Sequence, residues 1–394
     1  MNQYILVINA GSSSIKFRVY TSTLEEKANG ICERIGIDGV IKVEYEVHGK
    51  KEKVEEKANF KNHDDAISNF LEKLVSLKII EDMSQIKGIG HRIVQGAEIT
   101  KSCLIDEKVL EKIEWCIKLA PLHNKPELDV IKILMSKVPT AKNVAVFDTS
   151  FHTTIPKENS YYAVPKEWIE KHQVKRYGFH GTSYRYVTEK MQKILDKENQ
   201  PINLIICHLG NGASICCVKD SKSYDTTMGL TPLAGLVMGT RSGDIDPSIL
   251  DYIAKEEGLS AEEITNKLNK ESGLKGICGS SDFRDIQENL APGNDYEFAV
   301  NLFVQRIVNY ISIYKTHLRN AVDAIVFTGG IGENSPEVRK LVCDKLGINL
   351  SERKNTSKIA DYSWISVLGS RPRVYVVRTN EELKIAQDTN ELTN

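Results

Sequence analysis

Val7-Ile8-Asn9-Ala10-Gly11-Ser12-Ser13-Ser14-Ile15-Lys16-Phe17-Arg18-Val19-Tyr20 sets two apolar runs around a turn of small, mostly hydroxylated residues, with a lysine just beyond it. This reads as two strands joined by a hairpin, and the turn has the chemistry of a phosphate grip. Gly11 lets backbone approach an anion, the hydroxyls of Ser12, Ser13 and Ser14 can donate, and Lys16 adds a compact positive charge. A glycine-serine turn on its own is usually only a turn. Here a second loop of similar kind follows another apolar run, at Leu209-Gly210-Asn211-Gly212-Ala213-Ser214. Two such loops suggest two halves closing on one nucleotide.

At 394 residues the chain exceeds one ordinary core, so two domains are expected. Lys and Arg total 52 against 53 Asp and Glu, which leaves no positive field for nucleic acid or an anionic membrane, and neither is expected as a partner. Met1-Asn2-Gln3-Tyr4 lacks the basic flank and apolar stretch of a signal peptide, and no run approaches a bilayer span, so a cytoplasmic location is expected. The eight cysteines form no Cys-x-x-Cys pair and do not cluster with histidine at ligand spacing. They read as reduced thiols filling the core.

The pattern from Tyr4 to about Val54 is one of short strands, with a charge-rich solvated turn or edge at 48–58. Ile67, Phe70, Leu74 and Leu77 then recur at helical spacing, and a strand is expected near 86–94. Two helical segments should flank Ala120-Pro121-Leu122-His123-Asn124, followed by a buried strand at Val144-Ala145-Val146-Phe147. After a polar connection at 153–165 the order repeats: strand-turn-strand around Gly210, helices over most of 246–318, and a buried strand at Ala324-Ile325-Val326-Phe327. Val300, Val304, Ile307, Ile311, Tyr314 and Leu318 make one buried helical stripe. The duplication rests on element order, because self-similarity of sequence is weak.

Polar residues gather at strand ends and glycine-bearing turns, where α/β sheets bind ligands. The fragments are His91-Arg92, Pro121-Leu122-His123-Asn124, Phe147-Asp148-Thr149-Ser150-Phe151-His152 and Arg176-Tyr177-Gly178-Phe179-His180-Gly181-Thr182. To these add His208-Leu209-Gly210-Asn211-Gly212, Met238-Gly239-Thr240-Arg241-Ser242-Gly243-Asp244-Ile245-Asp246-Pro247, Ser281-Asp282-Phe283-Arg284 and Gly329-Gly330-Ile331-Gly332-Glu333-Asn334. No P-loop lysine motif occurs, and no Gly-x-Gly-x-x-Gly joins a strand to a helix. Asp244 and Asp246, beside Pro247, read most simply as caps of the following helix.

In this order, from about Tyr4 to Thr389, the fragments resemble the acetate kinase family, within the superfamily of actin, the heat-shock chaperone ATPases and sugar kinases. The resemblance implies an α/β chain of two ribonuclease-H-like, actin-like ATPase domains with a duplicated βββαβαβα core and a nucleotide cleft between them. The first would span 1–150 plus a C-terminal helix from about 382 to 394, the second 151–381. It implies reversible phosphoryl transfer from ATP to acetate, giving ADP and acetyl phosphate, with Mg²⁺ (Mn²⁺ as a second candidate ion) and in a homodimer.

Residue by residue, Arg92, Asp148, His180 and Arg241 match catalytic positions. An ionised short-chain acid needs no general base, only positioning against a γ-phosphate that repels it, and two guanidinium forks with an imidazole suit that task. Asn9 and Glu381 match metal-proximal positions, with Asp148 acting through a metal-bound water and Glu382 the neighbour of Glu381. Ser12, Ser14, Lys16, His208, Gly210, Asn211, Gly212 and Ala213 match phosphate contacts, and His123 a supporting one. Asp282, Phe283 and Arg284 match the segment near adenine and ribose, and Gly330, Ile331 and Asn334 the far wall of that pocket. Arg92 with Val94, Leu122, Phe179 and Pro232 matches the site of the acid and its methyl pocket.

Four positions depart from the family's usual pattern: Gln95, Lys125, Tyr184 and Ala234, the last bearing on the acyl pocket. Propionate or butyrate kinases of the same family are the alternative enzymes. From another class, a nucleotide-switched actin-like or chaperone-like binding protein would have no need of Arg92, Arg241 and His180 together.

Overall fold

The computed structural model describes residues 3–47 and 49–394. Contacts divide the chain into two compact units: Met1–Ser150 with Asn380–Asn394, and Phe151–Thr379.

Unit 1 holds β1 (Tyr4–Ala10), β2 (Ser14–Thr21), β3 (Glu26–Glu33), β4 (Val40–Val47), β5 (Lys50–Lys57), β6 (Ile86–Ile93), β7 (Cys103–Leu104) and β8 (Lys142–Phe147). They form one sheet in the order β5-β4-β3-β2-β1-β6-β8-β7. Strands β1 to β5 run antiparallel, while β1, β6 and β8 are parallel. The opening hairpin explains why β1 reads as unbroken apolar sequence: its alternate residues are buried on opposite faces. Leu6 and Ile8 join Phe17, Phe70 and Leu134 in one core, under the helices His63–Ser76 and Pro121–Lys137. Ile5 and Val7 join Val144, Val146 and Ile385 on the other, under the helix Glu381–Thr393. That helix lies so close to β6 that a Cβ at Gly88 would stand 2.9 Å from the Thr393 methyl, and one at Gly90 would collide with Thr389.

One local expectation of unit 1 needs correction. Pro121-Leu122-His123-Asn124 is not a break between helices but the first turn of Pro121–Lys137, where proline's missing N–H is no loss. Of the two readings of the charge-rich stretch, turn or edge, the second holds: it forms the edge strand β5, whose lysines and glutamates guard an open edge.

Unit 2 holds β9 (Leu204–Leu209), β10 (Ala213–Lys219), β11 (Lys222–Thr226), β12 (Ala324–Thr328), β13 (Tyr362–Trp364) and β14 (Arg373–Val377), in the order β11-β10-β9-β12-β14-β13. Here β9 is antiparallel to β10 and parallel to β12, and β12 is parallel to β14. The run β11-β10-β9-β12-β14 therefore repeats β3-β2-β1-β6-β8 in order and direction. This repeated, mixed α/β plan is that of the two-domain actin-like ATPase fold. In the long helix Asp295–His317 the stripe Val300, Val304, Ile307, Ile311 and Tyr314 is buried. Asp246 accepts from Ser248 N–H at 2.9 Å, as a cap should. Asp244 does not cap: it accepts from Gly235 N–H at 2.8 Å and from the Tyr310 hydroxyl. The cysteines are all unbridged, and no described helix is long and apolar enough to cross a membrane.

Candidate active site

In unit 1 the parallel pairing of β1, β6 and β8 brings their carboxyl ends into line, and three of the expected residues sit there. Arg92 donates through Nη2 to Asp148 Oδ2 at 2.7 Å, through Nε to both carboxylate oxygens at 3.2 and 3.3 Å, and through Nη1 to Asn9 Oδ1 at 3.3 Å. Asp148 is buried and Arg92 is the more open partner, so the carboxylate fixes the plane of the fork. Burial works against the charged form of Arg92, but Asp148 and then Glu381 outweigh it and hold the guanidinium above its ordinary pKa. Lys16 faces Asn9 directly across the hairpin and has no ion-pair partner among the described residues. Both line a cavity of about 280 Å³ with Arg18 and Glu382. Ser12 is exposed, Ser14 is half-buried, and the turn closes by a bond from Gly11 N–H to Ser14 O at 2.8 Å.

Glu381, at the start of its helix, is pushed up to about 7 by burial; Arg92 opposes that rise and Asp148 adds to it. One guanidinium therefore stands among more acid than it neutralises, and a hard cation would relieve the excess. Among the described residues no three His, Cys, Asp or Glu side chains form a metal cage. Mg²⁺ takes one or two protein oxygens and completes its shell with water and phosphate. Asn9 and Glu381 fit such an ion.

In unit 2 the corresponding strand ends carry the glycine loop after β9 and the Gly329–Asn334 helix after β12. His180 precedes the helix Gly181–Ile194 with φ of +58°, a strained conformation for a residue with a side chain. Its ring stacks on His208 at 4.3 Å, and Nδ1 meets Ser214 Oγ at 2.8 Å. Ser214 in turn bonds the Tyr184 hydroxyl, and His208 Nδ1 bonds Ser183 at 2.9 Å. A methyl group at Gly212 would stand 3.6 Å from both His180 Nε2 and Arg241 Nη1. The bare glycine thus marks a point where imidazole, guanidinium and loop backbone converge. Arg241 donates to Pro232 O at 3.3 Å, and no carboxylate pairs with it among the described residues. Burial lowers its pKa.

Beside the loop lies a cavity of about 630 Å³, within the size range of small-molecule sites. Gly210, Asn211, Asp282, Phe283, Arg284, Gly330, Ile331 and Asn334 all line it. Asp282 caps the helix Phe283–Glu288 and is held down to about 2 by the Arg284 side chain and N–H. Gly239 lines it too, and a Cβ there would strike Asn211 Oδ1 unless that side chain moved aside. Gly212, Ala213 and His208 belong to the loop and its strands without lining this cavity. Of the expected acyl wall, Val94 and Leu122 lie in unit 1, the first buried and the second 56% exposed, while buried Phe179 and half-buried Pro232 lie in unit 2.

Sequence reasoning missed Glu127, a carboxyl 2% exposed whose Oε2 accepts from Val94 N–H at 3.1 Å. Burial pushes it up to about 8. It also missed Glu333, whose Oε1 accepts from Gly329 N–H at 3.0 Å and Thr379 N–H at 3.1 Å and so ties the glycine turn to the end of unit 2. Its place in the Gly-Gly-Ile-Gly-Glu-Asn fragment was the available signal.

A family model described as the acetokinase family matches residues 4–387. The acetate kinase of Mycoplasma pneumoniae is 49% identical, over 99% of this chain and 98% of that protein. The acetate kinase of Mycoplasma genitalium is 50% identical, over 98% of this chain and 96% of its own length. Among solved structures, a propionate kinase from Francisella tularensis matches with a TM-score of 0.92 at 42% identity, covering 99% of this chain and 100% of that one. Porphyromonas gingivalis acetate kinase matches with a TM-score of 0.92 at 37% identity, covering 100% of both.

Proposed function

This chain belongs to the acetokinase family, and we infer from that membership and its two residue sets that it transfers the γ-phosphoryl group of ATP to acetate, giving acetyl phosphate and ADP, and runs the reverse transfer. An acetate oxygen forms the new bond to phosphorus as the bond to the ADP oxygen breaks, with no covalent enzyme intermediate and no proton to move. The residues therefore work by placing and neutralising charge. Arg92, its fork fixed by Asp148, orients the acid; Val94, Leu122, Phe179 and Pro232 receive its methyl group. Arg241 and His180 act on the transferring group. With Nδ1 engaged by Ser214, Nε2 is the ring nitrogen turned toward Gly212 and donates to a phosphoryl oxygen.

The nucleotide occupies the cavity beside Asp282, Phe283 and Arg284, with its phosphates on the 210–213 loop and on Lys16, Ser12 and Ser14. Mg²⁺ or Mn²⁺ would be held by Asn9 and Glu381, with Asp148 reaching it through water, and when bound supplies positive charge at the phosphates. The observation that carries this assignment is the convergence of Arg241 and His180 at Gly212, a half-buried cation without a carboxylate partner and an imidazole at a bare backbone. We place the protein in the cytoplasm as a homodimer, a state that sedimentation at assay concentration tests.

Purified protein with ATP, Mg²⁺ and each short acid, trapped with hydroxylamine, should yield hydroxamate fastest with acetate. One methylene changes discrimination by about 1–3 kcal/mol, which makes propionate a slower second substrate. Hydroxamate from butyrate but not from acetate would overturn the substrate assignment.

A further inference from the structure

We propose that Glu127, with Asn124 one turn before it, is a positioning residue that fixes the Val94 wall of the acyl pocket and thereby sets the preference for acetate over longer acids. The proposal rests on the assignment of Val94 to that pocket. Val94 immediately follows β6, two residues beyond Arg92, where the ladder with β8 ends at Ile93 and no longer holds the chain. The helix Pro121–Lys137 takes over. Glu127 Oε2 accepts from Val94 N–H at 3.1 Å, Asn124 Oδ1 accepts from Gln95 N–H at 3.1 Å, and Asn124 Nδ2 donates to Gln95 O at 2.8 Å. Both side chains are buried, so these bonds are made away from competing water.

An ionisable group is seldom buried without a partner or a task. The groups acting on Glu127 are the Val94 N–H, Arg92 from β6 and Asp148 beyond β8. The same helix carries Leu122, so one rigid element sets both acyl-wall residues of unit 1. Because the latch grips backbone, it fixes where the Val94 side chain stands whatever its rotamer, and a displacement of a fraction of an ångström decides whether an extra methylene fits.

Three variants test this, with KM and kcat measured separately for acetate, propionate and ATP. Glu127→Asp keeps the acid but withdraws its oxygen by one methylene; it should raise the acetate KM about tenfold and bring the acetate-to-propionate ratio of kcat/KM toward unity, with the ATP KM unchanged. Glu127→Gln keeps an acceptor within reach and should recover most of that loss. Val94→Ala should shift the ratio independently of the latch. If Val94→Ala leaves the ratio intact, the acyl-pocket assignment itself fails. If it shifts the ratio while Glu127→Asp does not, or if Gln is as damaging as Asp, or if the ATP KM rises in parallel, the latch is overturned.

Discussion

Arg92 and Arg241 are both half-buried guanidiniums, yet their surroundings are opposite. Arg92 is held to Asp148 by three hydrogen bonds and its charge is already compensated, whereas Arg241 has a carbonyl and a thioether for company and is left an excess cation. A compensated cation orients without attracting strongly; an uncompensated one stores desolvation that only an incoming anion relieves. The difference suits the separate tasks proposed for the arginines: Arg92 would align a weak carboxylate ligand, and Arg241 would meet the charge of the phosphoryl group in flight.

The largest effect should come from removing the uncompensated charge. Arg241→Ala is expected to lower kcat by about 10³-fold or more while the ATP KM changes only a few-fold, and Arg241→Lys should restore little because it lacks the fork. Thermal denaturation of Arg241→Ala should show no loss of stability, since a desolvated charge without a partner has been removed. Arg92→Ala should lower kcat/KM for acetate by about 10²-fold and, unlike Arg241→Ala, destabilise the fold by about 3 kcal/mol, because buried Asp148 loses its guanidinium partner. Adding Asp148→Asn should recover stability without recovering turnover. Equal stability losses for the two arginine variants would erase the contrast. His180→Ala should cost about 10²-fold in kcat with ATP affinity kept, and wild-type turnover would exclude the imidazole from the mechanism.

The smallest effect probes the acid side of unit 1. Glu127 titrates near 8 when folded against an ordinary 4.5, so the folded state holds a proton that the unfolded chain has released between those values. Its contribution is complete below about pH 4.5 and is lost as pH rises toward 8. Glu127→Gln has no such proton, so its melting temperature should gain on the wild type between pH 5 and pH 8; a constant difference would place the carboxyl's pKa elsewhere.

The repeated sheet was legible because strands buried on both faces cannot conceal their apolar character, and because glycine loops follow them at the same place in each half. The proposed catalytic set was readable only through several motifs taken together. Glu127 was not, since nothing in Lys125-Pro126-Glu127-Leu128 distinguishes a buried glutamate from a solvated one; its burial is a property of the β6 end above it. Asp244 was misread for a related reason. A local cap is the cheapest explanation of an acid before a helix, and only the distant Tyr310 reveals its other engagement. Pro121 was mistaken for a break because proline reads as an interruption, although the first turn of a helix is where it does least harm.

Unit 1 is interrupted in sequence by all of unit 2, and the glycines of β6 leave a furrow that Glu381–Thr393 fills. During translation the contiguous unit can therefore finish while its discontinuous companion waits with an apolar flank uncovered.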